Sequence, residues 1–225
     1  MARILLLETS TSTLSVALAD NGAVTAARLC EEPRRQASLT APLVQEVLAE
    51  AGIGMKDCDA VCVSKGPGSY TGLRVGVSTA KGLAFGAGVP LLSVGTPEIL
   101  AAGAGQGAWK YVVPMIDARR MEVYCAVFAA DGTPLRPVEA RVVEADSFAD
   151  LLADGPVLFI GDGALKCRSV IASPDALFRE AHPLAADMAR LAQQAYDEKR
   201  FEDLAYFEPF YLKDFIATVS RKHLF

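Results

Sequence analysis

The order of apolar runs in this chain predicts an α/β protein built as two duplicated halves. Three observations carry that reading. Two stretches of three successive strand patterns, one at the start and one after residue 107, are each followed by alternating helix and strand patterns. A glycine-rich stretch, Gly103-Ala-Gly-Gln-Gly107, stands between them and divides the chain into 1–106 and 107–225. With 225 residues, 52% apolar and 22% charged, there is material for one large domain or two of roughly 110 residues each.

In order along the chain, Ile4 to Glu8 reads as a buried strand and Leu14 to Ala19 as a second, separated by Thr9-Ser-Thr-Ser-Thr13. Asp20-Asn-Gly22 makes a hairpin turn because Asn and Gly accept positive φ at low cost, and Ala23 to Leu29 returns as a third strand. Leu39, Leu43, Val47 and Ala51 recur at helical spacing, with Gly52 placed to stop the helix. Its start is open: with Thr40 as N-cap, Pro42 falls where its missing N–H is harmless, and with Ser38 as N-cap one intrahelical bond is lost.

Ala60 to Ser64 is a Val-rich buried strand running into Gly66-Pro-Gly-Ser-Tyr-Thr-Gly72. The following helix repeats Leu73, Val77, Ala80 and Ala84 on one stripe, with Ser69 as its cap. Leu91 to Val94 is a strand, and Thr96-Pro97 provides an N-cap and first helical position for Ile99 to Ala104. In the second half Tyr111 to Ile116, Glu122 to Ala129 and Leu135 to Val143 read as strands, with Ala130-Asp-Gly132 as a turn. A helix over Phe148 to Ala153, a strand over Val157 to Ile160 and a Gly161-Asp-Gly163 turn follow. A long helix, Leu184 to Glu198, buries Leu184, Met188, Leu191 and Ala195. Two meanders each continued by helix and strand are the organisation of actin-like ATPases and sugar kinases, the ribonuclease H-like architecture also called ASKHA.

Composition bounds the chemistry. Lys+Arg 22 against Asp+Glu 27 gives a net charge of −5, so no global positive field draws nucleic acid or anionic lipid. The basic pairs Arg34-Arg35, Arg119-Arg120, Lys199-Arg200 and Arg221-Lys222 read as solvated turns or helix ends. Only four strongly apolar residues precede Glu8, short of the ~7–15 of a secretory leader. No window reaches the ~20 apolar residues of a membrane span, so a cytoplasmic protein without membrane contact is expected. Five cysteines without C-x-x-C spacing read as reduced thiols, and two isolated histidines give little material for a metal site or a Ser-His-Asp triad.

Three motifs invite a functional reading. Glu8-Thr-Ser-Thr-Ser12 offers hydroxyls and N–H groups to a phosphate, with Ser10, Thr11, Gly68 and Ser69 as candidate anion or nucleotide contacts. Its lack of glycines argues against close backbone approach to a phosphate. Gly66 to Arg74 is neither a P-loop, since no Lys follows Gly72, nor a dinucleotide fingerprint, since position 71 is Thr. Gly72, Gly76 and Ala80 stand four apart, with Gly82 and Gly86 as a second pair, although each interior glycine costs ~1 kcal/mol. Small residues on one ridge admit a second backbone, either within the chain or on a partner. Asp117-Ala-Arg-Arg120 before Glu122 reads as a charged turn.

Taken together, Ile4-Leu-Leu-Leu-Glu-Thr-Ser10, Gly66-Pro-Gly-Ser-Tyr-Thr-Gly-Leu-Arg-Val-Gly76, Ala80-Lys-Gly-Leu-Ala84, Asp117-Ala-Arg-Arg-Met-Glu-Val-Tyr124 and Glu208-Pro-Phe-Tyr-Leu212 resemble the bacterial TsaB family, formerly YeaZ, over nearly the whole chain. That resemblance implies a non-catalytic paralogue of TsaD, required with TsaD and TsaE to place the threonylcarbamoyl group on N6 of the adenosine beside the anticodon in tRNAs reading codons that begin with A. It implies a TsaD heterodimer through helices at Gln36 to Ala51 and Tyr70 to Gly86, with homodimers through the same surface when TsaD is absent. Leu39, Leu43, Val47, Tyr70, Leu73, Gly72, Gly76, Val77 and Ala80 are then the partner-binding candidates, and Gly76→Leu should leave the monomer folded while abolishing pairing. It implies tRNA contact only through the complex, no cofactor or metal on the isolated chain, and ATP or ADP at the interface of the assembly. The catalytic relatives carry an H-x-x-x-H metal motif where this chain reads Arg34-Arg-Gln-Ala-Ser-Leu-Thr-Ala-Pro42, without histidine. The alternatives are an ATPase or phosphotransferase using Glu8, Ser10, Thr11 and Asp117, and a peptidase, for which no paired nucleophile and base emerge.

Overall fold

The computed structural model describes residues 2–213. Readings that fall on Arg221, Lys222 and His223 lie outside the described residues. The first sheet runs β3-β2-β1-β4-β5, with β1 Arg3–Glu8, β2 Leu14–Asp20, β3 Ala23–Cys30, β4 Ala60–Gly66 and β5 Leu91–Gly95. The second runs β10-β9-β6-β7-β8, with β6 Tyr111–Asp117, β7 Glu122–Ala129, β8 Pro134–Val142, β9 Val157–Ile160 and β10 Ala176–Arg179. Each begins with an antiparallel meander whose first strand then pairs in parallel with the fourth, which pairs in parallel with the fifth. The order is the same in both sheets, so the expected duplication is present strand by strand.

The alternation of β1 explains why it reads as an unbroken apolar run. Leu5 and Leu7 pack under α1 Gln36–Glu50 and α2 Tyr70–Ala87. Ile4 and Leu6 point to the other face, beneath the end of the chain, so both sides of the strand are dry. In the second half Val113, Met115 and Phe159 meet α4 Ala149–Asp154 and α5 Ala164–Cys167. Val112 and Leu158 face the opposite way, on the side where α3 Thr96–Ala102 lies along β6.

Helix starts differ from expectation. α1 begins at Gln36 with Arg35 as N-cap and no side-chain cap, so neither Thr40 nor Ser38 caps it. Pro42 therefore lies inside the helix, and the carbonyl of Ser38 loses its i+4 donor. Thr40 instead donates back to Gln36 O at 2.6 Å. For α3 the cap is Gly95, whose N–H donates to Glu98 Oε2 at 2.7 Å, one residue before the expected Thr96. Gly52, by contrast, takes positive φ directly after the C-cap Ala51, and Asn21-Gly22 forms the expected turn with both φ positive.

The largest correction concerns the end of the chain. No single helix spans 184–198: Leu184 is extended, Ala185–Met188 is a 3-10 turn, and α6 covers Ala189–Asp197. The buried stripe is Ala185, Met188, Ala189, Ala192 and Ala195, while Leu184 and Leu191 are half-buried. Small side chains let this segment lie flat on the first sheet, and Ser15 Oγ accepts the Ala185 N–H at 2.8 Å. A division into 1–106 and 107–225 thus fails at its C-terminal end, because α6 completes the first half. The helix α5 and the edge strand β10, four residues each, carry too short a pattern to read from sequence.

Candidate functional site

Duplication sets the geometry between the halves. β1 ends in Glu8 and its counterpart β6 ends in Asp117, while β4 and β9 both run into positive-φ glycines, Gly66 at 106° and Gly161 at 135°. In the first half the loop after the fourth strand crosses the turn after the first, and in the second half Gly161 lies against Met115 near the end of β6. Cβ atoms on Gly68 and Gly161 would come within 3.0 Å of Ser10 O and Met115 O, so only glycine permits these contacts. Between the two contacts opens a cleft of about 980 Å³, lined among others by Ser10, Thr11, Arg34, Gly68, Ser69, Tyr70, Asp117, Arg119, Asp162 and Tyr211.

The cleft holds Ser10, Thr11, Gly68 and Ser69 together, and the backbone donors of Ser10 and Ser69 are committed within the chain. Ser69 N donates to Ser10 O at 2.7 Å, and Ser10 N donates to Glu8 Oε1 at 2.5 Å. Ser69 Oγ caps α2 by accepting the Gly72 N–H at 3.2 Å, and Thr11 Oγ1 and Thr13 Oγ1 lie 3.2 Å apart. Glu8 Oε2 is buried, with the equally buried Ser10 and Ser64 hydroxyls beside the carboxylate. Burial raises the Glu8 pKa from 4.5 to about 7, against the opposing pull of its hydrogen bonds with Ser10. Across the cleft Asp117 is ion-paired with Lys166 and accepts the Arg119 N–H at 2.8 Å, while its own N–H donates to Asp162 at 2.9 Å. Glu122 pairs with Lys213. Asp117 is thereby held as the pivot of a turn.

The partner-binding candidates fall elsewhere than expected. Leu43, Val47, Val77 and Ala80 belong to the first half's own core, with Leu39 packed against it, and Leu73 is 1% exposed. Gly72 and Gly76 face inward over the β1–β2 turn, where Cβ atoms would come within 3.0 Å of Thr9 O and Thr9 Oγ1 respectively. Their in-chain use is visible in the bond from Thr9 Oγ1 to Gly72 O at 2.8 Å. Gly76→Leu therefore strikes the monomer's own packing, contrary to the expectation that it spares the fold. Tyr70 remains half-buried at the cleft mouth, its ring 4.9 Å from that of Tyr211.

Among the described residues a face of the same two helices is left uncovered. On α2 it comprises Thr71, Arg74, Ser78, Gly82, Phe85 and Gly86, with Phe85 80% exposed, and no atom lies within 4 Å of a Cβ placed on Gly82 or Gly86. On α1 it comprises Ala37, Ala41, Pro42, Gln45 and Ala49. The signal for it was the second glycine pair beside an aromatic that the buried stripe does not use.

A two-half sheet architecture with a cleft closed by glycine contacts defines an actin-like ATPase-type protein. A family model described as "TsaD: tRNA N6-adenosine threonylcarbamoyltransferase" matches residues 33–220. The Escherichia coli K12 tRNA threonylcarbamoyladenosine biosynthesis protein TsaB is 32% identical, over 96% of each chain. Its Bacillus subtilis namesake is 35% identical over 70% of each. Among solved structures, a Pseudomonas aeruginosa protein described as similar to peptidase YeaZ superposes with a TM-score of 0.85 at 31% identity, covering 95% of this chain and all of that one. The activator of 2-hydroxyisocaproyl-CoA dehydratase from Clostridium difficile, with bound ADPNP, shares the fold alone at a TM-score of 0.50 and 8% identity, over 88% of this chain and 96% of that one. The chain belongs to the TsaB (YeaZ) family. Among the described residues no helix is long and apolar enough to cross a membrane.

Proposed function

We propose that this chain works in the cytoplasm, in the biosynthesis of threonylcarbamoyladenosine in tRNA, as a non-catalytic subunit docking on a TsaD-type transferase. The single observation that carries the docking role is the uncovered face of α1 and α2, where small residues flank Phe85 at 80% exposure. A large aromatic left in water among Ala, Gly and Ser offers the apolar anchor that interface cores use, and small neighbours admit a partner helix closely. The non-catalytic part of the reading draws on the cleft, where the backbone donors of Ser10 and Ser69 are spent inside the chain and Asp117 is tied to Lys166. It also draws on the stretch 34–42, which has no histidine to serve as metal ligand. On this reading TsaE joins the assembly, ATP or ADP lodges at a subunit interface, and a homodimer through the same face forms when TsaD is absent.

The placement of Glu8 and Asp117 at matching strand ends favours a second reading, an ATPase acting in its own cleft. One set of measurements separates the two. Phe85→Asp should leave the melting curve of the monomer unchanged while abolishing co-purification with TsaD and the reconstituted tRNA modification. A folded Phe85→Asp chain that pairs normally overturns the assigned face, and ATP turnover by the isolated chain, lost in Glu8→Gln, establishes the second reading.

A further inference from the structure

Two of the four basic pairs meet in the folded chain. Arg34 and Arg119, one from each half, line the same cleft, and their neighbours Arg35 and Arg120 are exposed beside them. Only Arg35 has a carboxylate partner, Glu32 at 3.7 Å. Among the described residues none lies within ion-pair distance of the Arg34, Arg119 or Arg120 guanidinium. Of the second-half acids here, Asp117 is paired with Lys166 and Glu122 with Lys213, while Asp162, also in the lining, accepts the Asp117 N–H. A chain of net charge −5 thus concentrates uncompensated arginine where its halves face each other.

The rest of the lining fits a nucleotide unit. The Tyr70 and Tyr211 rings lie 4.9 Å apart at the mouth, and Tyr124 adds a third phenol. Guanidinium groups grip phosphate oxygens, and aromatic rings stack unpaired bases. We infer that the cleft between the halves is a contact site for a single-stranded RNA segment, with backbone phosphates on Arg34 and Arg119 and an unpaired base among Tyr70, Tyr124 and Tyr211. The choice of RNA over a free nucleotide rests on the proposed role in tRNA modification.

The test uses the chain assembled with TsaD and an unmodified anticodon stem-loop of a tRNA decoding an A-initial codon. Binding is read by fluorescence anisotropy across a salt series. Replacing both arginines, Arg34→Gln with Arg119→Gln, should weaken binding about tenfold and lower the log–log salt slope by about 1.4, two single-strand phosphate contacts at roughly 0.7 each. Arg34→Lys with Arg119→Lys should restore most of that loss. Unchanged affinity and slope in the assembled double variant overturns the site, as does arginine-dependent binding of AMP or ATP without any arginine dependence for RNA. Should the variant not assemble, photocrosslinking of 4-thiouridine RNA to the wild-type complex decides. Adducts on residues 66–72, 117–124 or 208–213 support the site, and adducts confined to the other subunit overturn it. Modification activity that needs Phe85 alongside RNA binding indifferent to the arginines sinks this inference and leaves the proposed function intact.

Discussion

Glu8 shows how one residue can be legible in position and illegible in state. Its place at the end of the first strand follows from the apolar run before it, but its complete burial, beside a turn over which Gly68 and Gly72 press on Ser10 and Thr9, is tertiary and no local pattern encodes it. The pKa, raised to about 7, has a definite sign in stability. Below the unfolded value of 4.5 both states are protonated and nothing is lost. As pH climbs toward 7 the unfolded chain ionises first, so stability falls, by at most about 3.5 kcal/mol at ~1.4 kcal/mol per unit. Glu8→Gln keeps an acceptor for the Ser10 N–H and removes the titration. Urea unfolding at pH 5 and pH 8 should show a smaller difference for the variant than for the wild type, with the variant the more stable of the two at pH 8.

At the scale of the element, α2 carries two kinds of glycine that composition cannot distinguish. Gly72 and Gly76 are spaced like Gly82 and Gly86, yet the first pair presses on Thr9 and the second meets open space. Helix propensity favours alanine by ~1 kcal/mol at any of the four, so packing decides the sign. Gly82→Ala and Gly86→Ala should each stabilise the monomer by up to ~1 kcal/mol. Gly72→Ala should destabilise it by ~2 kcal/mol or more, because the obstacle is a backbone carbonyl that cannot rotate aside. Denaturant midpoints of the four single variants check the ordering. The spacing predicted that this ridge admits a close neighbour, and that was sound; the neighbour's identity, a turn sixty residues earlier in the chain, needed the tertiary structure. Caps were harder still: α1 starts on Arg35 without a side-chain cap, so the hydroxyls of Ser38 and Thr40 were attractive but wrong. The stripe was correct as an apolar face, but Leu43, Val47, Leu73 and Val77 are buried within the chain itself, since amphipathicity marks what is buried and not by whom.

For the whole molecule, the doubled strand order was readable because each meander leaves three strand-length runs joined by turn residues, Asn21-Gly22 and Asp131-Gly132 among them. What the pattern could not reveal is that the last helix belongs to the first half. Ile4, Leu6, Ala17, Cys62 and Leu92 share one buried cluster with Met188, Ala192 and Ala195. A fragment ending at residue 106 should therefore lack fixed tertiary packing, seen as strong dye binding and a weak near-ultraviolet signal, and adding a peptide covering 183–213 should restore the signal. A 1–106 fragment that unfolds cooperatively on its own would contradict this. In the cell the same feature imposes an order of events. At about 5–20 residues per second, the ribosome needs roughly 5 to 20 s to travel from residue 106 to the alanines of α6. Throughout that interval the nascent sheet shows one greasy side to the cytosol, where chaperones have their opportunity and aggregation has its own.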